Sequence, residues 1–325
     1  MNAAAAKIKT SPPAEIILAP PVKTADGFFK FLTWLMAMLV LALVVLVGWT
    51  LYRGSRPALA KFGWSFFVHA NWDPVTEDFG ALPFIFGTFA CSFLALIIAL
   101  PLSLGTAVFL TELAPQRIRQ TTITLIEMLA AIPSVVYGIW GAAVLIPWLM
   151  QGPYPFLKRT LPFLPFFQGP IYGVCILSAS LVLAIMIVPI ITSISREVLR
   201  SVPDSQREAA FALGATRWEV TKLAVLGYSV RGLFGAAMLG LGRALGEAMA
   251  VTLLIGNVPQ ITKSLFAPGY TLASGIVMEF AEANPGMHVS ALFELGLVLL
   301  LVTLTTNVLA YLLIGALGSR KPSAH

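Results

Sequence analysis

Arg243 and Glu247 stand four residues apart in the run GLGRALGEAMAVTLLIGN, Gly240 to Asn257, which carries no other charge. That spacing puts a guanidinium and a carboxylate on one helical face, where they can pair. If the run crosses a membrane, counting 1.5 Å per residue from Arg231 puts Arg243 ~18 Å in, near the middle of an apolar core about 30 Å thick. A charge there costs about 2.5–3.5 kcal/mol even on the mild insertion scale, so it requires company. The pair has two possible uses. In one, it is closed and structural, with Gly242 and Gly246 at small-xxx-small spacing admitting a neighbouring helix. In the other, Arg243 offers a multi-donor fork to a passing oxyanion while Glu247 holds it and prevents tight trapping.

A second constellation, EAAFALGATRWEV, runs from Glu208 to Val220 between two long apolar stretches. Ser201 with Asp204 three residues on, and Pro203 in the first turn, predicts a helix start. Gly214 is placed to end that helix in a left-handed conformation. Thr216 followed by Glu219 forms a second capping box and starts another short helix towards Leu226. The small residues Ala209 and Ala210, with Phe211 and Leu213, make an apolar patch rimmed by Arg207, Glu208, Arg217 and Glu219. Such a patch suits a docking surface. An amphipathic loop lying on the membrane is the alternative that spacing leaves open.

These segments are positioned by a membrane protein. Of 325 residues 58% are hydrophobic and 11% charged, mean hydropathy is +0.87, and a soluble domain would carry about a quarter charged residues. Runs of the ~20 apolar residues that a helical span needs recur along the chain. Six spans are expected, at Phe31–Leu51, within Ala81–Thr111, within Met128–Trp148, within Ile171–Ile194, at about Gly232–Asn257 and from about Val289 to Gly318. The first is read as an uncleaved helix despite Ala58-Leu59-Ala60, because its polar leader and apolar core are longer than a signal peptide's. Cys91 and Cys175 fall inside spans, where packing is the expected role.

Alternating the loops puts Lys7, Lys9, Lys23, Lys30, Arg117, Arg119, Arg196, Arg200, Arg207, Arg217, Lys222, Arg231, Arg320 and Lys321 on one side. Arg53, Arg56, Lys61, Lys158, Arg159 and Lys263 take the other. The positive-inside rule therefore places both termini and the hairpin in the cytoplasm. The net charge of +6 is spread over four cytoplasmic segments rather than one patch, which speaks against a nucleic-acid partner. The expected fold is an all-α integral membrane protein of six transmembrane helices, with a cytoplasmic two-helix coupling hairpin between helices 4 and 5. Its divisions are a disordered tail at 1–30, a first helix and outer loop at 31–82, a five-helix core at 83–318 with the hairpin at about 196–227, and a tail at 319–325.

Glu208-Ala209-Ala210, three residues and Gly214 resemble the EAA loop of binding-protein-dependent ABC importer permeases. That pattern continues with I-x-L-P, where this chain reads Ala224-Val225-Leu226-Gly227 and keeps only the Leu. The run from Arg243 to Asn257 resembles the R-A-L-G-E-T-M-A-V…I-G-N signature of PstC-type permeases of phosphate ABC importers, with Ala248 in place of the Thr. FLTELAP (Phe109–Pro115), LAAIPSVVYGIWG (Leu129–Gly141), EFAEA and GMHVSALFELGL (Glu279 to Leu297) carry the same resemblance. The resemblance implies inorganic phosphate as substrate, a path lined by Arg243 and Glu247, and an ATPase-docking role for Glu208, Ala209, Ala210 and Gly214. It further implies four partners in the bilayer or at its faces: a second related permease, two ATPase copies and an extracytoplasmic phosphate-binding protein. The setting would be the inner membrane of a bacterium.

No stretch reads G-x-x-x-x-G-K-S/T, so ATP and magnesium are expected on a separate subunit and no cofactor on this chain. Nor does H-E-x-x-H occur, and His69, His288 and His325 are scattered, which disfavours an intramembrane enzyme or a metal site. A permease for another oxyanion and an ion-coupled secondary carrier are the remaining alternatives; the carrier would show repeated broken helices, which are not clear in the sequence. Glu127 and Glu294 are expected near interfaces, opening spans 3 and 6, and Glu279 and Glu282 on a solvated outer loop. Pro133 and Gly138 suggest a kink in span 3.

Overall fold

The computed structural model describes residues 23–318; the expected N-terminal tail (mostly) and C-terminal tail lie outside them. Among the described residues, six helices are long and apolar enough to cross a membrane, which makes the chain a multi-pass membrane protein. They are α1 (Lys23–Phe62), α2 (Leu82–Leu113), α4 (Ser134–Gln151), α5 (Ile176–Arg200) and α7 (Arg217–Leu245), and α10 (Met287–Gly318). Between them lie α3 (Gln116–Ala131), α6 (Asp204–Ala212), α8 (Met249–Thr252) and α9 (Leu272–Phe280).

Two units separate, residues 1–49 and 50–325. The first contributes the N-terminal part of α1, whose described side chains are exposed almost all round, as suits a helix with lipid for solvent. α1 outruns its expected bounds because hydropathy marks only its apolar middle, while Asp26 in the first turn and Lys61 in the last complement the helix dipole. Pro57 inside it removes a backbone donor. One residue on, the hydroxyl of Ser290 on α10 enters the ladder, accepting from the Ala58 N–H at 3.0 Å and donating to the Gly54 carbonyl at 2.9 Å. The helix thus stays satisfied across its weak point.

In the second unit α2, α5 and α7 pack around Ala95, Ala99, Val182, Leu183, Ile187, Ala236 and Leu241, all buried. Small residues set their approach: a Cβ on Gly240 would meet Ile191 Cδ1 at 2.6 Å, so only glycine admits that isoleucine. A second core joins Trp72 and Phe79 to Phe84, Tyr270, Leu272 and Leu295. Trp72–Asp73 pairs antiparallel with Asp78–Phe79 in a short ribbon between α1 and α2. Its turn is held by Asp73, which accepts from the Val75 N–H at 2.9 Å and the Thr76 hydroxyl at 2.7 Å.

Two expected boundaries are corrected. Span 3, expected within Met128–Trp148 with Glu127 at its start, runs from Ser134 to Gln151, because Pro133 takes an extended backbone (ψ 141°) and ends the preceding helix. Glu127 therefore belongs to α3, a separate amphipathic helix with no fully buried residue, and does not open span 3. Span 5 and the second helix of the hairpin are one unbroken helix from Arg217 to Leu245, with a π-helical stretch at Val220–Leu226. It does not continue to Asn257.

Candidate functional site

The chain breaks at Gly246. α7 stops at Leu245, and helical structure resumes at Met249 in the four-residue α8. The gap holds Glu247, which is buried at 4% exposure. One of its carboxylate oxygens lies 3.0 Å from a guanidinium nitrogen of Arg243, whose side chain is 49% exposed. The other accepts from the Ala250 N–H at 3.4 Å, satisfying a backbone donor of α8. The carboxylate is thus fixed from both sides of the break, and the cation it holds stays half open. The four-residue pairing expected from sequence is present; the helix break between its partners was not expected.

Irregular backbone at membrane depth is stable only where protein satisfies it. Here the Leu254 carbonyl accepts from the Cys175 N–H at 2.9 Å, and the Ile255 carbonyl from the Gly269 N–H at 2.9 Å. Gly256 takes φ +93°, the left-handed region glycine tolerates, and Asn257 comes next at φ +50°. The Asn257 side chain donates to the Thr252 carbonyl at 2.9 Å. Gly138 of α4 lies against this segment: a Cβ there would meet the Ala250 Cα at 3.0 Å. The kink suggested by Pro133 and Gly138 thus resolves into a helix start and a close approach.

At the other site α6 begins after Pro203, the residue at its cap. The expected capping by Ser201 does not form. Ser201 closes α5 instead, its hydroxyl donating to the Val198 carbonyl at 2.8 Å, and the fixed φ of Pro203 starts the new helix. Gly214 takes φ +81°, with the Ala215 N–H bonded to the Ala210 carbonyl at 3.2 Å and the Gly214 N–H to Phe211 at 2.9 Å. That pairing is a left-handed glycine cap. The Thr216 capping box is complete: the Thr216 N–H donates to Glu219 at 2.7 Å, and the Glu219 N–H to the Thr216 hydroxyl at 3.4 Å. Glu208 and Ala209 are exposed, as are Phe211 at 48%, Leu213 at 89% and Trp218 at 63%. Three large apolar side chains thus stand open beside the EAA residues.

Other acidic residues depart from expectation. Glu294 is fully buried, and among the described residues neither of its carboxylate oxygens has a hydrogen-bond partner; it is not an interfacial snorkelling residue, because its turn of α10 is packed into the second unit. Glu282 is exposed. Glu279, expected on a solvated face, accepts from the Tyr270 hydroxyl at 3.2 Å and lies 3.4 Å from the ring of His288. Sequence reasoning gave Arg207 no more than a place on the rim of the patch and passed over Glu112, yet the two meet at 3.2 Å. One signal was available: no cation stands three or four residues from Glu112 in FLTELAP and its flanks, so its partner had to come from elsewhere.

Comparison with known proteins adds an independent line. Residues 99–321 match the family described as "Binding-protein-dependent transport system inner membrane component". The chain is 45% identical over 282 residues to the "Phosphate transport system permease protein PstC" of Mesorhizobium japonicum, covering 86% of each chain. To the protein of that name from Haemophilus influenzae it is 45% identical, covering 91% of this chain and 95% of that one. "Phosphate transport system permease protein PstC 2" of Mycobacterium tuberculosis is 38% identical over 93% of this chain and 96% of its own. In fold, the chain is similar to a structure titled "Inward facing conformations of the MetNI methionine ABC transporter", with TM-score 0.51 and 16% identity over 71% of this chain and 92% of that one.

Proposed function

This chain belongs to the family of binding-protein-dependent transport system inner membrane components, and from that premise we propose that it is the permease subunit of an ATP-driven importer of inorganic phosphate. The names of its relatives, at 45% identity over most of the chain, support phosphate as the substrate. The observation that carries the mechanism is the half-open Arg243 held 3.0 Å from the buried Glu247 at a helix break.

A phosphate oxyanion needs planar, multi-donor contacts, which a guanidinium supplies. A lone cation in an apolar surround would hold it too long. Glu247 cancels most of the fixed charge, so the anion meets directional donors on a site of low net charge and moves on. The exposed apolar patch of the hairpin, with Glu208, Ala209, Ala210 and the turn at Gly214, docks an ATPase subunit. ATP and magnesium are used there, and this chain carries no cofactor. A second related permease completes the pathway, two ATPase copies drive it and an extracytoplasmic phosphate-binding protein delivers substrate. The assembly sits in a bacterial inner membrane with both termini in the cytoplasm.

The test is uptake of radiolabelled phosphate into vesicles holding the assembled complex, with and without ATP and binding protein. Uptake requiring both is expected, and Arg243→Ala is expected to abolish it while leaving the subunits associated. Normal uptake by that variant would refute the pathway role of Arg243. An assembled complex that imports no phosphate would refute the substrate.

A further inference from the structure

Arg207 is largely withdrawn from water at the base of the hairpin. One terminal nitrogen donates to Glu112 Oε1 at 3.2 Å and to the Leu199 carbonyl at 3.1 Å. The other donates to the Val202 carbonyl at 2.6 Å and to Asp204 at 3.3 Å. One guanidinium therefore binds the end of α2, the end of α5 and the start of α6. The two side chains of the Arg207–Glu112 pair are only 19% and 16% exposed. Beside them Ala107, Leu199, Val202, Val225 and Leu233 form a small apolar core. A pair so withdrawn from water is weakly screened and resists separation more than a surface ion pair does.

The end of α2 is built to present Glu112. Phe109–Leu113 is a π-helical turn, and its extra residue rotates the rest of the chain end by about 100° relative to an α-helix. Arg119 closes this end by donating to the Thr111 carbonyl at 3.0 Å. The hairpin is thus tied to α7 by an unbroken helix, to α5 by three residues and two carbonyl bonds, and to α2 by the ion pair.

We propose that Glu112 and Arg207 form a strut that delivers movement of the hairpin to α2, which makes Glu112 a positioning residue of the transport cycle. This rests on the reading of the hairpin as the ATPase dock. Without the strut the hairpin drives α7 and α5 while α2 lags, and hydrolysis runs without full transport.

The experiment uses the complete complex in proteoliposomes and reads three quantities: ATPase co-purification, binding-protein-stimulated hydrolysis, and phosphate imported per ATP. Glu112→Gln keeps the shape and leaves the carbonyl bonds of Arg207 in place. Expected are retained co-purification and hydrolysis, with phosphate per ATP lowered about tenfold, within the usual range for coupling between sites. An unchanged ratio in the assembled variant overturns the strut, since loss of a merely structural contact would lower the amount of complex and not the ratio.

A second measurement leaves Glu112 and Arg207 intact. Spin labels at Leu113→Cys and Ser205→Cys are expected to keep one distance in the nucleotide-free and ATP-trapped states, and a change between those states overturns the proposal even if Glu112→Gln fails to assemble. Gly214→Val separates the premise from the inference. Wild-type co-purification by that variant refutes the docking role of the hairpin, whereas its loss together with an unchanged ratio in Glu112→Gln refutes the strut alone.

Discussion

Glu247→Gln tests whether the intramembrane pair tunes the residence of an anion or only holds the helix break together. The amide is isosteric and can still accept from the Ala250 N–H, which lies 3.4 Å from the carboxylate, so the break should survive. The negative charge 3.0 Å from the Arg243 guanidinium disappears. An anion on the open side of that guanidinium lies ~6 Å from the Glu247 carboxylate, and at an effective dielectric constant of ~20 their repulsion is about 3 kcal/mol. Removing it deepens the anion's well by that amount, roughly a hundredfold in dwell time. The variant should therefore retain phosphate more tightly and import it up to about a hundredfold more slowly. The half exposure of Arg243 lets water take part of this effect, so the figure is an upper bound. The assay pairs initial uptake rates with retention of labelled phosphate on the washed complex. Slower uptake with no gain in retention would refute the tuning argument and leave the pair a structural one.

Two further outcomes test the frame around the sites. Gly138→Val puts a branched side chain where a Cβ would already meet the Ala250 Cα at 3.0 Å, and overpacking of this kind costs about 1–3 kcal/mol; detergent-solubilised protein should lose thermal stability, and an unchanged melting temperature would count against the close packing of α4 on the break. The capping box also fixes the start of α7, where Thr216 and Glu219 each take the other's backbone N–H, and losing such a cap costs about 0.5–2 kcal/mol. Thr216→Ala should speed amide exchange at Arg217 to Glu219 several-fold at neutral pH; exchange that Thr216→Ala leaves unaltered would remove the cap from the account.

The features legible in the sequence are those that local chemistry dictates. Long apolar runs marked the six helices, Gly214 and Thr216 marked the turn and the second start of the hairpin, and four-residue spacing paired Arg243 with Glu247. Among the places where reading failed, the break after α7 and the Glu112–Arg207 pair share one cause, a backbone or charge held by a distant segment. Beyond Gly246, little in the run from Glu247 to Leu254 announces that the helix ends there. The helix stops at Gly246, its cap, and the backbone beyond is held elsewhere: the Leu254 and Ile255 carbonyls take the N–H groups of Cys175 and Gly269, and Glu247 serves Arg243 on one side and Ala250 on the other.

The two sites are physically joined. Arg243 and Trp218 lie on one helix, since α7 runs unbroken from Arg217 to Leu245, so the hairpin patch and the intramembrane cation are two ends of a single rod. The rod is not uniform. Its first turns are capped by Thr216, its next segment is π-helical at Val220–Leu226, and its far end abuts a break fixed by a buried carboxylate. A displacement of the hairpin cannot be absorbed along a helix whose backbone bonds are continuous, so it must emerge at the π-helical segment or at the break. At the break it would shift Arg243 relative to Glu247, which is bound through Ala250 to α8 and not to the rod alone. In the proposed import cycle α7 would carry movement from the hairpin to Arg243 directly, since its ends are the two candidate sites, while the Glu112–Arg207 strut would carry it to α2.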